Sequence, residues 1–148
     1  MGDRAMSNME WDDTLTLGVP EIDAHHRRWF DLTNAFLELV NSGAADRAAV
    51  QAALQQAFAH ARKHFKAEEA LMRSIRFPKN EYEWHVMTHG AFLERFNALA
   101  KRCRQGKKTV ITELAAFMSG WLAKHILEVD IKYIGFFMIK SSLGPGGK

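Results

Sequence analysis

At 148 residues, 47% hydrophobic and 25% charged, the chain suits one globular domain with a substantial core, not a disordered or fibrous protein. The net charge of +3 comes from scattered pairs such as Arg27-Arg28, Lys101-Arg102 and Lys107-Lys108, so no basic stripe invites nucleic acid. Cys103 is the only cysteine, no signal peptide is visible, and the longest apolar run, 131–139, contains Lys132 and is too short to span a bilayer. A cytoplasmic protein without membrane segments is therefore expected.

Residues 1–9 carry no helical period and are expected to form a flexible N-terminus. Trp11, Leu15, Leu17 and Val19 alternate, which predicts an extended arm lying on the domain. Pro20 suits the first turn of a helix, where its missing N–H costs nothing. The first helix is predicted over Pro20–Asn41, with Gly43 as its stop and an inner stripe of Ile22, His26, Trp29/Phe30, Thr33, Leu37 and Val40. The second starts from Asp46 as N-cap and runs to about Ile75. Its seam is Val50, Leu54, Ala57, Ala61, His64, Glu68, Leu71 and Ile75, in steps that alternate four and three.

Pro78 breaks this pattern. Asn80 with Glu83 resembles a capping box for the third helix, whose seam is Tyr82, His85, His89, Phe92, Phe96, Leu99 and Cys103, with Gly106 as its stop. Thr109 is the expected cap of the fourth helix, with a seam of Ile111, Leu114, Met118, Trp121 and His125. A neighbouring row holds Leu122, Ile126 and Asp130. Beyond Tyr133 the chain should pack briefly and then fray, with 141–148 a flexible tail. The fold class is all-α, an antiparallel up-down-up-down four-helix bundle with an extended N-terminal arm, over about residues 10–140.

Five of the seven histidines (His26, His64, His85, His89 and His125) fall on inward stripes, spread over all four helices, and two acids, Glu68 and Asp130, join them. Imidazoles and carboxylates are costly to bury without partners, and one small core cannot supply neutral partners for so many. A shared metal site resolves the conflict. No thiolate is offered, which argues against a structural zinc site, whereas imidazole with carboxylate suits iron, manganese, zinc or copper. These groups are too many for one ion. Two octahedral ions bridged by both carboxylates and one oxygen, with the imidazoles as terminal ligands, keep one open position for a small molecule.

These residues also match a known pattern. Gly18-Val19, Ile22-Asp23 and His26 lead to His64-Phe65-x-x-Glu68-Glu69-x-x-Met72 and His85-x-x-x-His89. Trp121-Leu122-x-x-His125-Ile126, with Asp130 and Tyr133, completes it. The pattern resembles the hemerythrins, specifically the bacterial branch, over about residues 10–135. The resemblance implies a bundle holding two non-haem iron ions with an oxo/hydroxo bridge, and reversible binding of O2 as ligand for storage, delivery or sensing. By resemblance, His85, His89 and His125 hold a filled iron, His26 and His64 hold the iron with the vacancy, and Glu68 and Asp130 bridge. Phe65, Trp121, Leu122 and Ile126 adjoin the ligands and should line a dry O2 pocket that slows irreversible oxidation of the irons.

His25, where Gln is common in the family, is off the seam and expected outside the ligand set, as are His60 and Glu69. Cys103 is expected to fill core space inertly. No catalytic residue is assigned. The alternatives are a di-iron enzyme acting on O2, peroxide or nitric oxide, and a sensor module of a signalling system. The excess of imidazole over carboxylate, without a Glu-x-x-His motif on the relevant faces, favours binding over oxygen activation. The protein partner is left open, with the apolar run 131–139 as a surface that could dock onto one or onto a second copy of the bundle.

Overall fold

The stripes fold as predicted into helices that close around a shared interior. The computed structural model describes residues 10–42, 46–105 and 108–142. Its helices are α1 (Pro20–Ser42), α2 (Arg47–Ser74), α3 (Lys79–Arg104) and α4 (Lys108–His125). The last runs through a π-helical turn, Ile126–Asp130, into α5 (Ile131–Ser142), so α4, the turn and α5 form one long fourth rod. Contacts run α1–α2, α2–α3, α3–α4 and α4–α1, the ring of neighbours of an antiparallel bundle with short connections. There is no strand among the described residues.

The ends of α2 show how local chemistry sets its length. Asp46 caps its start by accepting the Ala49 N–H at 2.7 Å. At its end, Phe77 N–H reaches Met72 O at 2.9 Å and Arg76 N–H reaches Arg73 O at 3.1 Å. Arg76 takes φ +56° to make this left-handed exit, a Schellman motif built on arginine instead of glycine. Phe77 and Met72 then meet in one apolar cluster, the contact that usually accompanies the motif.

Several expected boundaries move. Asn80 does not cap α3: the helix begins at Lys79, and its N-cap Pro78 has no side-chain capping bond. Glu83 instead lies 3.8 Å from Lys79, one turn back on the exposed face. Thr109 lies inside α4, not at its cap. After Tyr133 the chain stays helical, since Tyr133 and Ile134 are buried against Met72 and Phe77 and α5 runs to Ser142, the last described residue. Gly43 and Gly106, the two expected helix stops, and the terminal segments 1–9 and 143–148 lie outside the described residues.

The arm is only partly extended. Asp12 accepts the Thr14 N–H at 2.8 Å and starts a 3-10 turn, Asp13–Leu15, which buries Leu15. The arm then passes Gly18, whose φ of +93° lies where side chains are disfavoured. The buried carboxylate of Asp23 accepts the N–H groups of Leu17 at 2.8 Å and Gly18 at 3.0 Å, donors that no strand partner could satisfy. This clamp ties the arm to the first turns of α1.

The interior has three layers. One large apolar cluster contains Leu37, Leu54, Phe92, Phe96, Leu99, Leu114 and Met118. A smaller one at the other end contains Met72, Phe77, Tyr133 and Ile134, with Leu17 and Val19 of the arm packed on it. Along α2 the order Phe65, Glu68, Met72 steps from the first cluster through a polar layer to the second.

Candidate metal centre

Each rod delivers its polar residues to this middle layer by its own period. On α2, His64 and Glu68 are four apart, and on α3 so are His85 and His89, which places each pair one turn apart on one face. His125 and Asp130 are five apart. In a regular α-helix that spacing turns Asp130 about 140° away from His125. The π-helical turn closes i→i+5 hydrogen bonds, so residue i+5 comes over residue i, and Asp130 Oδ1 lies 3.1 Å from His125 Nε2.

All seven predicted residues converge. None of His26, His64, Glu68, His85, His89, His125 and Asp130 exceeds 4% exposure. Glu68, His85, His89, His125 and Asp130 form one group whose ligand atoms all lie within 4.8 Å of one another, and His26, His64, Glu68 and Asp130 form a second. Glu68 and Asp130 belong to both.

The imidazoles approach with their Nε2 atoms. His64 and His89 approach Glu68 Oε1 at 3.1 and 3.3 Å. His85 approaches Asp130 Oδ1 at 3.1 Å, and His26 approaches Asp130 Oδ2 at 3.3 Å. Nitrogens also face nitrogens, His26 Nε2 to His64 Nε2 at 3.1 Å and His85 Nε2 to His125 Nε2 at 3.3 Å. Two donors bound ~2.1 Å from one ion are ~3.0 Å apart at a right angle and ~3.4 Å at the tetrahedral angle. The observed spacings fall in that range.

Hydrogen bonding alone does not satisfy the cluster. Glu68 Oε1, His89 Nε2 and both oxygens of Asp130 are buried without a hydrogen-bond partner, although cationic-capable nitrogens lie near. A buried acceptor left unpaired costs roughly 1–3 kcal/mol, and more when charged. A cation among these atoms removes that cost, so the donor set fits a metal ion.

The electrostatics agree. Burial and the Asp130 charge push the Glu68 carboxyl up, but His64 and His89 outweigh them and hold it below its usual value. Burial also raises Asp130, and contacts from His125, His26 and His85 outweigh it and lower it further. Both are carboxylates at neutral pH. Burial lowers His64, which keeps its ring neutral and its Nε2 lone pair available.

A further ring of side chains holds the first. Glu69 Oε2 lies 2.8 Å from His89 Nδ1, and His25 Nδ1 lies 3.2 Å from His64 Nδ1. Both residues thus sit outside the inward cluster but touch it. Half-buried His60 reaches the His25 carbonyl oxygen from Nε2 at 2.8 Å. Tyr133, fully buried, donates its hydroxyl to Glu68 Oε2. The sequence offered a signal for this last contact, since a tyrosine on an inward row needs a partner for its hydroxyl.

Of the residues expected to line an O2 pocket, Phe65 stacks on His89 at 4.0 Å and 9°, and half-buried Trp121 stacks on His125 at 4.2 Å and 16°. Leu122 and Ile126 are fully buried in the same apolar cluster. Trp29, read from sequence only as a core residue, is the indole beside His64, at 6.2 Å between ring centres, and stacks on Trp121 at 5.8 Å. Cys103 is buried and burial pushes its thiol pKa up, as suits an unreactive core residue. No helix of the described residues is long and apolar enough to cross a membrane.

The family profile of the hemerythrin HHE cation binding domain matches residues 17–136. Among curated proteins, a bacteriohemerythrin of Clostridium acetobutylicum is 29% identical over 127 residues, covering 84% of this chain and 97% of that protein. A bacteriohemerythrin of Stenotrophomonas maltophilia is 30% identical over 128 residues, covering 86% and 80%. A hemerythrin-like protein of Naegleria gruberi is 33% identical over 129 residues, covering 87% and 93%. No solved structure matches.

Proposed function

The chain belongs to the hemerythrin family, and from that premise we propose that it is a non-haem di-iron protein that binds O2 reversibly. His85, His89 and His125 would hold one iron and His26 and His64 the other, with Glu68 and Asp130 shared by both. An oxo or hydroxo group would complete the pair, and the side with only two histidines would leave room for O2. The observation that carries this reading is that two carboxylates are common to two otherwise separate histidine groups. A single ion would leave one group with unpaired, buried ligands.

The iron pair supplies the electrons that hold O2. The chain's own residues do the rest. Nε2 lone pairs of neutral imidazoles face inward, and Glu69 and His25 keep the Nδ1 atoms of His89 and His64 engaged on the outer side. Tyr133 holds one oxygen of Glu68 and so fixes the direction of the other. Phe65, Trp121, Leu122 and Ile126, together with Trp29, form an apolar wall that would keep water and stray protons from the bound group. Five imidazoles against two carboxylates favour binding over activation of O2.

The test is an optical spectrum paired with a metal count. Protein loaded anaerobically with Fe(II) should hold about two irons per chain, and absorption bands should appear with O2 and reverse on its removal. One iron per chain would overturn the di-iron reading. Steady turnover of O2, peroxide or nitric oxide would replace a binding protein by an enzyme. His26→Ala should weaken or abolish O2 binding while helicity persists, and unchanged affinity and metal content would refute the role of His26.

A further inference from the structure

The two histidine groups differ in what stands behind them. On the three-histidine side, Nδ1 of His89 faces a carboxylate, Glu69 Oε2, at 2.8 Å. On the two-histidine side, Nδ1 of His64 faces only another imidazole nitrogen, His25 Nδ1, at 3.2 Å. Nδ1 of His26 is buried with no hydrogen-bond partner. With Nε2 of His64 turned to the metal, its proton sits on Nδ1, so His25 Nδ1 is the acceptor and His25 carries its own proton on Nε2.

His25 is built into this position from both sides. Its ring stands edge-on to His64 at 5.3 Å and 88° and edge-on to His60 at 5.7 Å and 88°. The His60 and His64 rings are nearly parallel, at 6.5 Å and 15°. His60 donates from Nε2 to the His25 carbonyl oxygen at 2.8 Å, which pins the α1 backbone to α2 at that turn. His25 is thus a wedge between two α2 imidazoles one turn apart.

We propose that His25 is the positioning residue of the two-histidine metal position, and that this position is the more weakly held of the two. A ligand imidazole whose outer N–H is held by a carboxylate is a stronger donor than one held by a neutral group. His89 has the carboxylate, His64 has the neutral ring, and His26 has neither. Among the described residues, the acceptor on His64 is therefore the one outer side-chain hydrogen bond to a histidine of this position, and losing it loosens that ion selectively. The inference rests on the two-iron reading above.

The test is release of iron from the anaerobic, fully loaded protein to an excess of a strong Fe(II) chelator. The wild type should lose iron in two phases, one iron in each. His25→Phe keeps the ring and removes the acceptor. It should speed the fast phase at least about tenfold, the usual scale for an outer partner of a metal ligand, and leave the slow phase within about twofold. His25→Gln restores an acceptor of similar reach and should return the fast phase to near the wild-type rate. Glu69→Gln should speed the slow phase instead. An unchanged fast phase in His25→Phe, equal acceleration of both phases, or failure of His25→Gln to rescue would overturn the inference while leaving two irons per chain intact. A wild-type chain that holds one iron would overturn the reading beneath it.

Discussion

Tyr133→Phe isolates one hydrogen bond at the centre of the bundle. The two side chains differ by the hydroxyl, so packing against Met72, Phe77 and Ile134 is kept, including the edge contact with Phe77 at 6.4 Å. What is lost is the donor to Glu68 Oε2. Tyr133 and Glu68 are both 0% exposed, so water cannot replace it. Glu68 Oε1 already lacks a hydrogen bond, which leaves the carboxylate held by nearby imidazoles alone. A buried hydrogen bond to a charged group contributes about 1.5–3 kcal/mol. At roughly 2 kcal/mol, the midpoint of thermal unfolding in the metal-free protein should fall by about 4–8 °C for a chain of this length. On the two-iron reading, the iron-loaded protein should lose less, because bound ions would share the Glu68 charge. Calorimetry on both forms, at matched iron content, measures the two shifts. An unchanged midpoint in the metal-free variant would refute the account, and so would a larger loss with iron than without.

Two further predictions concern the exit of α2 and acid. Arg76→Gly relieves the left-handed strain at φ +56° and should stabilise by about 0.5–1 kcal/mol, read as a higher denaturant midpoint; a lower midpoint would mean that the arginine side chain contributes more than the strain costs. In the metal-free protein, Glu68 is lowered from 4.5 to about 2 and Asp130 is lowered from 3.8, so both add stability above those ordinary values and lose it as pH falls. His64, lowered from 6.5 by burial, adds to the acid loss below that value. Burial alone would lower His89 too, but Glu68 and Glu69 raise it above 6.5, so its contribution is complete below 6.5 and lost as pH rises through the folded value. Denaturant midpoints should therefore fall steadily from pH 6 to pH 3, and a midpoint that holds constant below pH 4.5 would refute the carboxylate assignment.

The inward cluster of five histidines and two acids and the bundle itself were legible because both obey a local period. His64 and Glu68, or His85 and His89, share a helix face at any tertiary packing, and a face of leucines and phenylalanines has to be buried. The same logic located Asp46 as a cap, since a cap acts on its own helix. It failed at Asn80 and Thr109: α3 begins two residues before the start that a cap at Asn80 sets, without a side-chain cap, and α4 already contains Thr109. Asp130 was legible as a member of the inward row beside that of His125, but a regular α-helix would leave the two on separate rows. The π-helical turn is what brings the Asp130 carboxylate within 3.1 Å of His125 Nε2. Persistence of α5 likewise depends on Tyr133 and Ile134 finding Met72 and Phe77 from distant parts of the chain.

By itself, the sequence determined which residues face inward, and hence that five imidazoles and two carboxylates would share one core. Only the tertiary structure decided how they divide, with Glu68 and Asp130 common to both groups. It alone decided what stands behind each ligand: a carboxylate for His89, a second imidazole for His64, a tyrosine for Glu68. The reason is physical. Facing inward is a property of one helix and its repeat, whereas a hydrogen bond between helices depends on depth and rotation of two, which the packing of every intervening side chain sets.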